Sequence, residues 1–197
     1  QGFIGPFKLY DKEEVTRKWL KKIRPKLMSR EGSVFPQSML NYDRHLDIPE
    51  IQKIVTSPKI IERLKSILGD EILCWRSEWF PKYPGDLGTE WHQAKRFFEF
   101  EGQPKLCPSD ETDKNNEYWV LTVWIALTDA TIETSCMRFM PGSHKEKWFF
   151  DESKENHFNE SGGSGFFGYS WEGLKVDSDW SPDEDKAVDM EVKAGEF

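Results

Sequence analysis

The chain has 197 residues and a formal net charge of -8, with 37% hydrophobic and 31% charged residues. This length suits one compact domain with a substantial core, and an aromatic content of 14% argues against a disordered chain. Because the charge is negative and no basic stripe offsets it, we expect no nucleic-acid partner.

A first helix is predicted over 12–29. Asp11 and Glu14 form a capping-box pattern ahead of apolar residues at helical spacing, and Pro25 is expected to disturb the helix. The helix also carries a basic cluster. Its ordinary interpretation is a solvated face, and its alternative is a docking patch for an acidic partner. The cluster comprises Arg17, Lys18, Lys21, Lys22, Arg24 and Lys26.

A second helix is predicted to begin at Pro58, after the N-cap residue Ser57, and to end at Gly69. Its expected buried stripe comprises Ile60, Ile61, Leu64, Ile67 and Leu68. Residues 1–70 are therefore expected to form a mostly helical layer.

Short strands are predicted in the remainder of the chain, residues 71–197. The strand at 118–128 is apolar on both faces, so we expect it at the centre of a sheet. A helical layer followed by many short strands predicts a mainly β fold, a sandwich with helices packed on one side. The predicted strands are 72–80, 118–128, 136–140, and those near 165–169 and 188–192.

The three cysteines stand at no metal-like spacing, and an odd number excludes complete internal pairing. Reduced thiols in a cytoplasmic protein are the simplest account. No signal-peptide pattern opens the chain, and no apolar run approaches the ~20 residues of a membrane span. The chain opens without Met, and Phe197 stops inside a predicted strand, so we expect a piece of a longer protein.

His92 is the residue that suggests a metal site. A non-haem Fe(II) oxygenase usually binds iron through two histidines and one carboxylate. The carboxylate often follows the first histidine by two, because residues i and i+2 of a strand share a face. Here Ala94 holds that position, so either no metal site exists or an anion from solution fills the place. Spacing alone favours ordinary structural or surface roles for all four histidines, the others being His45, His144 and His157.

Several aromatic-rich segments, taken together and in order, carry a resemblance to a known family. They are Gly2–Phe7, Asn41–Asp47, Leu73–Arg76, Phe80–Gly85, Gly88–Ala94, Thr122–Trp124, Thr128–Ala130, Gly165–Tyr169 and Lys193–Phe197. The chain resembles the phytanoyl-CoA-hydroxylase-like Fe(II)/2-oxoglutarate oxygenases and, within them, the carrier-protein-dependent aliphatic halogenases of the syringomycin and barbamide type. The resemblance implies a double-stranded β-helix (a cupin-like jelly roll) over a single domain, 1–197, with its later C-terminal strands missing.

The resemblance also implies the site residues. His92 matches the first iron ligand, and Ala94 matches the residue that replaces the oxygenase carboxylate and leaves room for chloride. The implied cofactors are Fe(II), 2-oxoglutarate, chloride and O2. From the residues alone, core packing explains Trp124 and Thr122 equally well. Further matches are Thr89 and Trp124 for 2-oxoglutarate, and Phe97 and Thr122 beside Ala94 for the halide pocket.

The implied function is a halogenase that chlorinates an unactivated aliphatic carbon in nonribosomal peptide biosynthesis. Its substrate would be an aminoacyl group tethered through phosphopantetheine to a carrier protein. Two alternatives remain: a hydroxylase of the same fold, with water or Glu90 at the open position, and a non-catalytic jelly-roll binding module. The family's second iron histidine and its 2-oxoglutarate arginine lie beyond the segment that ends at Phe197. This chain alone is therefore expected to bind iron poorly and to be inactive.

Overall fold

The structure, a computed structural model, describes only part of the chain. Two compact units are distinguished, and the single-domain interpretation of 1–197 stays a prediction. The first unit comprises Gln1–Gly88, Val123–Lys145 and Pro182–Phe197, and the second comprises Thr89–Thr122 and Glu146–Ser181. The described residues are 1–29, 42–85, 91, 99–100, 103–104, 121–145, 165–166, 169–170 and 182–197.

The predicted first helix is confirmed, and its disturbance lies just before the proline. An α-helix, α1 (Lys12–Lys18), continues through a π-helical stretch (Trp19–Ile23) into α2 (Arg24–Ser29). Pro25 has no N–H to donate, and its ring crowds the carbonyl four residues earlier. A widened π turn at this place accommodates both effects.

The predicted capping box at the start of α1 is wrong. Asp11 is the N-cap residue, but its side chain makes no capping hydrogen bond. Its carboxylate instead pairs with Lys8 (Oδ1 to Nζ, 2.5 Å), and Glu14 pairs with Lys18 one turn later (2.8 Å). Both acids therefore bind lysine side chains rather than backbone amides at the helix start.

Two further helices follow, α3 (Pro49–Val55) and α4 (Pro58–Leu68). The sequence predicted α4 with its correct bounds, and Gly69 ends it with a positive φ of 83°. The predicted stripe is narrower than expected, because Ile60 is buried whereas Ile67 is 53% exposed. The helix α3 was not predicted.

The hydrophobic core of the first unit lies between these helices. Trp19 of the π-helical stretch stacks on Trp79, with ring centroids 4.8 Å apart. Side chains from 123–127 also pack on the core from outside the helical layer. The fully buried members are Leu9, Ile23, Leu27, Ile48, Ile54 and Ile60.

The predicted strand at 72–80 is wrong, since this stretch is extended but pairs with no strand among the described residues. Its partner is a turn. The N–H of Asp43 donates to the Ser77 carbonyl (2.8 Å), and the N–H of Ser77 donates to Asp43 Oδ1 (3.0 Å). A turn can satisfy only one or two backbone groups, so no ladder forms.

The described part of the predicted strand 118–128 is likewise not a central strand. Ala126 exchanges two backbone hydrogen bonds, donating to Glu196 (3.0 Å) and accepting from Gly195 (2.8 Å). An isolated antiparallel bridge joins Ala130 to Val192. Gly195 has φ +93° and lies so close to Tyr10 that an added Cβ would be 2.5 Å from its carbonyl oxygen. Only glycine fits there.

The remaining strands are short. The predictions at 136–140 and 188–192 are confirmed as β3 (Met137–Phe139) and β6 (Val188–Met190), paired antiparallel. The single strand predicted near 165–169 is instead an antiparallel pair. That pair is β4 (Gly165–Phe166) with β5 (Tyr169–Ser170), and another is β1 (Glu99–Phe100) with β2 (Gln103–Pro104).

Candidate functional site

Most residues of the predicted iron and halide site lie outside the described residues: Thr89, His92, Ala94 and Phe97. Trp91, directly before His92, is half-buried. Thr122, in the second unit, is exposed, whereas Trp124, in the first unit, is half-buried. The matches of these residues to iron, halide and 2-oxoglutarate contacts therefore stay predictions.

Trp124 lies on an extended segment whose alternation bears on its role. Val123, Ile125 and Leu127 pack against the helical core. Successive side chains of an extended chain point to opposite sides, which would place Trp124 on the side of Ala126, and Ala126 is 1% exposed. That side is therefore packed as well, so packing explains Trp124 as readily as a ligand contact does, and its assignment to 2-oxoglutarate stays a prediction.

Asp129 fixes the end of the same segment. Its Oδ1 accepts a hydrogen bond from the N–H of Ala194 (2.9 Å), and its Oδ2 binds Lys12. These bonds, the Ala194 amide first, hold the pKa of Asp129 below its usual value. The Thr128–Ala130 part of the resemblance is therefore explained by structure, since Asp129 ties the segment to the chain near Ala194.

Of the two residues predicted to face the iron, only one has a side chain that can bind a metal. His92 supplies an imidazole, the usual nitrogen ligand of non-haem iron, and Ala94 supplies no donor atom. Within the ranges that the structure describes, no three His, Cys, Asp or Glu side chains come together as a further metal site. Of the cysteines, Cys74 and Cys136 are described and both are free thiols.

A polar cluster that the sequence did not predict lies beside the extended segment. Arg76 covers the ring of Tyr42 (4.8 Å to the centroid), and its Nε is 4.0 Å from Asp43 Oδ2. The Nδ1 of His45 shares a hydrogen bond with Ser77 Oγ (2.7 Å). The interpretation of His45 as a hydrogen-bonded loop histidine is thus confirmed.

Glu78 is the chemically unusual member of this cluster. Its Oε1 is buried and has no hydrogen-bond partner among the described residues. Burial raises the pKa of Glu78 to about 7, opposed by Arg76 and reinforced by Asp43. Burial also raises the pKa of Tyr42 to about 12, with the Glu78 charge adding to the rise. Glu78 can therefore hold or release a proton near neutral pH.

The sequence carried one faint signal for Glu78. It is an acid inside a stretch of aromatic and apolar residues, Leu73–Phe80, where a solvated carboxylate is unexpected. Its neighbour Trp79 also has a buried and unpartnered Nε1 within the described part of the chain. Both groups were missed because a strand prediction for 72–80 does not show which side chains other segments will bury.

Comparison with known proteins gives a consistent result. The family model described as "Phytanoyl-CoA dioxygenase (PhyH)" matches residues 1–197. Two solved structures, "CytC3 with Fe(II) and alpha-ketoglutarate" and "CytC3", are each 30% identical to this chain with a TM-score of 0.59. Both alignments cover 99% of this chain, and they cover 60% and 61% of those chains.

A curated relative extends the comparison. A probable alpha-ketoglutarate-dependent hypophosphite dioxygenase of Stutzerimonas stutzeri is 29% identical over 103 residues, or 52% of this chain and 31% of that protein. The chain thus spans about three-fifths of the matched structures and less than a third of the curated relative. The family match and the structural likeness imply the cupin-like fold. Among the described helices, none is long and apolar enough to cross a membrane.

Proposed function

Because the chain belongs to the phytanoyl-CoA dioxygenase family, we propose that it is part of an Fe(II)- and 2-oxoglutarate-dependent oxidoreductase that chlorinates an unactivated aliphatic carbon. One observation carries the halogenase part: Ala94 stands two residues after His92, where a hydroxylase would hold a carboxylate. The likeness to CytC3 with Fe(II) and alpha-ketoglutarate supports the cofactor assignment.

In this proposal some residues bind the iron and 2-oxoglutarate, and others leave or line the space for chloride. His92 binds iron through its imidazole, and the methyl group of Ala94 leaves one position for chloride. Trp124 and Thr89 contact 2-oxoglutarate, whereas Phe97 and Thr122 line the halide pocket. Bound Fe(II), 2-oxoglutarate and O2 supply the oxidising power for breaking the C–H bond, and chloride supplies the halogen.

The proposed substrate is an aminoacyl group tethered through phosphopantetheine to a carrier protein. Short aliphatic side chains such as that of leucine are the first candidates. A tethered substrate would be delivered by a protein partner, so the enzyme needs a docking surface in addition to a pocket.

The test uses position 94. The protein used is a longer chain that also carries the family's second iron histidine. It is loaded anaerobically with Fe(II) and 2-oxoglutarate and titrated with chloride, and the metal-to-ligand charge-transfer absorption band is followed. We expect a saturable, chloride-dependent shift in the unmodified protein and in the control Ala94→Gly, which keeps the position open. Ala94→Asp should abolish the shift, because a carboxylate then occupies the place.

Two outcomes would overturn the proposal. Iron and 2-oxoglutarate binding without any chloride response would favour a hydroxylase, with water or Glu90 at the open position. The similarity to a hypophosphite dioxygenase makes this the leading rival. Failure of a longer chain that also carries the family's second iron histidine to bind iron at all would favour a non-catalytic jelly-roll module.

A further inference from the structure

The first helix presents a second, solvent-facing surface opposite its buried one. Val15, Ile23 and Leu27 are at most 1% exposed and face the core. Residues on the outer side recur every three or four positions, and their exposure shows that they share the solvent-facing side through the π-helical stretch as well. They are Arg17, Leu20, Lys21, Arg24 and Met28, all exposed, with Lys22 exposed beside them.

We define these six residues as the cationic face. Within the part of the chain that the structure describes, none of its four cations takes part in an ion pair. The basic residues at its edges differ, since Lys18 pairs with Glu14 (2.8 Å) and Lys26 lies 3.5 Å from Glu50. The cationic face is thus a local excess of positive charge on a chain whose net charge is -8.

Two apolar side chains lie among these cations. Leu20 and Met28 are each 53% exposed. The run from Arg17 to Met28 is at most about 16 Å long, because an α-helix rises about 1.5 Å per residue and the π-helical stretch Trp19–Ile23 rises less. This surface therefore has the length, the opposite charge and the apolar side chains needed to pair with one side of an amphipathic helix that carries carboxylates.

We propose that the cationic face docks an acidic helix of a partner protein. Under the proposed function, on which this identification rests, that partner is the carrier protein that delivers the tethered substrate. Carboxylates of the partner would pair with Arg17, Lys21, Lys22 and Arg24, while Leu20 and Met28 contact its apolar side chains. Attraction between opposite charges also speeds encounter, as a briefly visiting carrier requires.

An anionic lipid surface is the competing occupant. A helix that lies in a membrane interface needs a broad apolar face to insert below the headgroups. The apolar face of this helix is already buried against the core, which leaves only Leu20 and Met28 outside. The observations therefore favour a protein partner over a lipid surface.

The experiment measures binding to a leucine-loaded peptidyl carrier protein of net negative charge. Fluorescence anisotropy is recorded at low and high salt with three proteins: the unmodified chain, Lys21→Glu with Lys22→Glu, and Lys53→Glu with Lys145→Glu. The second pair is a matched control, since Lys53 and Lys145 are exposed and lie on α3 and on the turn at Ser143–Lys145. Net charge changes equally in both variants.

We expect Lys21→Glu with Lys22→Glu to weaken binding about tenfold and to reduce its salt dependence, while the control pair changes affinity by less than about twofold. Equal weakening by both pairs would overturn the proposal, because net charge alone would then explain it. Absence of measurable binding to the unmodified chain would also overturn it.

A second arm uses phosphatidylserine vesicles. Vesicle binding that depends on Lys21 and Lys22, together with carrier binding that does not, would assign the face to lipid and overturn the proposal. Failure of the proposed function is seen separately, as loss of the chloride-dependent absorption change at the iron. That measurement requires no carrier protein.

Discussion

Two adjoining stretches of the first unit bury charged groups in opposite ways. In the turn at 42–47, Arg44 is 2% exposed and binds Asp47 through two nitrogens (2.9 Å each), and its Nη2 also donates to the Lys26 carbonyl (3.2 Å). In the extended stretch 71–80, Glu78 buries an oxygen without a hydrogen-bond partner among the described residues. The first arrangement pairs its buried charge and stabilises the fold, whereas the second leaves a buried oxygen unpaired within the described part of the chain.

Removing the guanidinium of Arg44 is expected to have the largest effect. Arg44→Met keeps most of the apolar stem but leaves the Asp47 carboxylate, 9% exposed, without its partner. An unpaired buried charge costs about 3–5 kcal/mol, so the free energy of unfolding should fall by that amount in urea denaturation.

The matched control is Arg138→Met. Arg138 pairs with Glu184 (2.6 Å) and Asp189 (2.9 Å), but its side chain is 42% exposed. Solvent-exposed ion pairs contribute little to stability, so this variant should remain close to the unmodified protein. If the free energy of unfolding fell by similar amounts in the two variants, burial would not be what makes the Arg44 pair important.

Local signals in the sequence predicted the helices well. Pro58 at the start of α4 and Gly69 at its end are short-range features, readable without knowledge of neighbours. Ser57 is the N-cap residue of α4, as predicted, but its side chain makes no capping hydrogen bond. The helix α3 was missed because only Ile51, Ile54 and Val55 of its seven residues are apolar, too few to establish a periodicity.

Pairing between distant segments could not be predicted in the same way. The composition of 72–80 and the prolines that follow it predict a strand, but whether a ladder forms depends on the neighbour, and the neighbour is the turn at Asp43. The burial of Glu78 has the same origin, because it arises from chain segments brought together in space. The family resemblance, and not the spacing of His92 and Ala94 by itself, implied a metal site, and the geometry of these two residues lies outside the described residues.

Glu78→Gln should raise the free energy of unfolding at neutral and higher pH, whereas Arg44→Met should lower it. Because the folded protein holds the Glu78 pKa at about 7 and the ordinary value is 4.5, the folded state binds the proton more tightly. Its contribution to stability is fully present below pH 4.5 and is lost as the pH rises to about 7. The neutral glutamine avoids this loss, so the variant should gain roughly 2 kcal/mol at pH 8 over the unmodified protein.

The measurement is a series of urea unfolding curves between pH 4 and pH 8. The stability difference between Glu78→Gln and the unmodified protein should grow across this interval. Glu71→Gln is the control, since Glu71 is an exposed acid in the same stretch. A difference for Glu78→Gln that stays constant with pH would show that no buried ionisation is involved.

The smallest effect is expected where the two stretches are joined. Ser77→Ala removes the hydrogen bond between Ser77 Oγ and His45 Nδ1 but leaves both backbone links to Asp43. A single such bond contributes about 1 kcal/mol to the free energy of unfolding. Ser66→Ala is the matched control, because Ser66 Oγ donates only to the Arg63 carbonyl of its own exposed helix (2.7 Å).

This substitution also tests whether the two stretches depend on each other. If Ser77 holds the extended stretch against the turn, its loss should loosen the burial of Glu78 and lower the pKa of that carboxyl towards 4.5. The pH dependence of unfolding would then become shallower in Ser77→Ala than in Ser66→Ala. An unchanged slope would mean that the Asp43 backbone links alone keep Glu78 buried, so that the His45 bond is dispensable for its unusual ionisation.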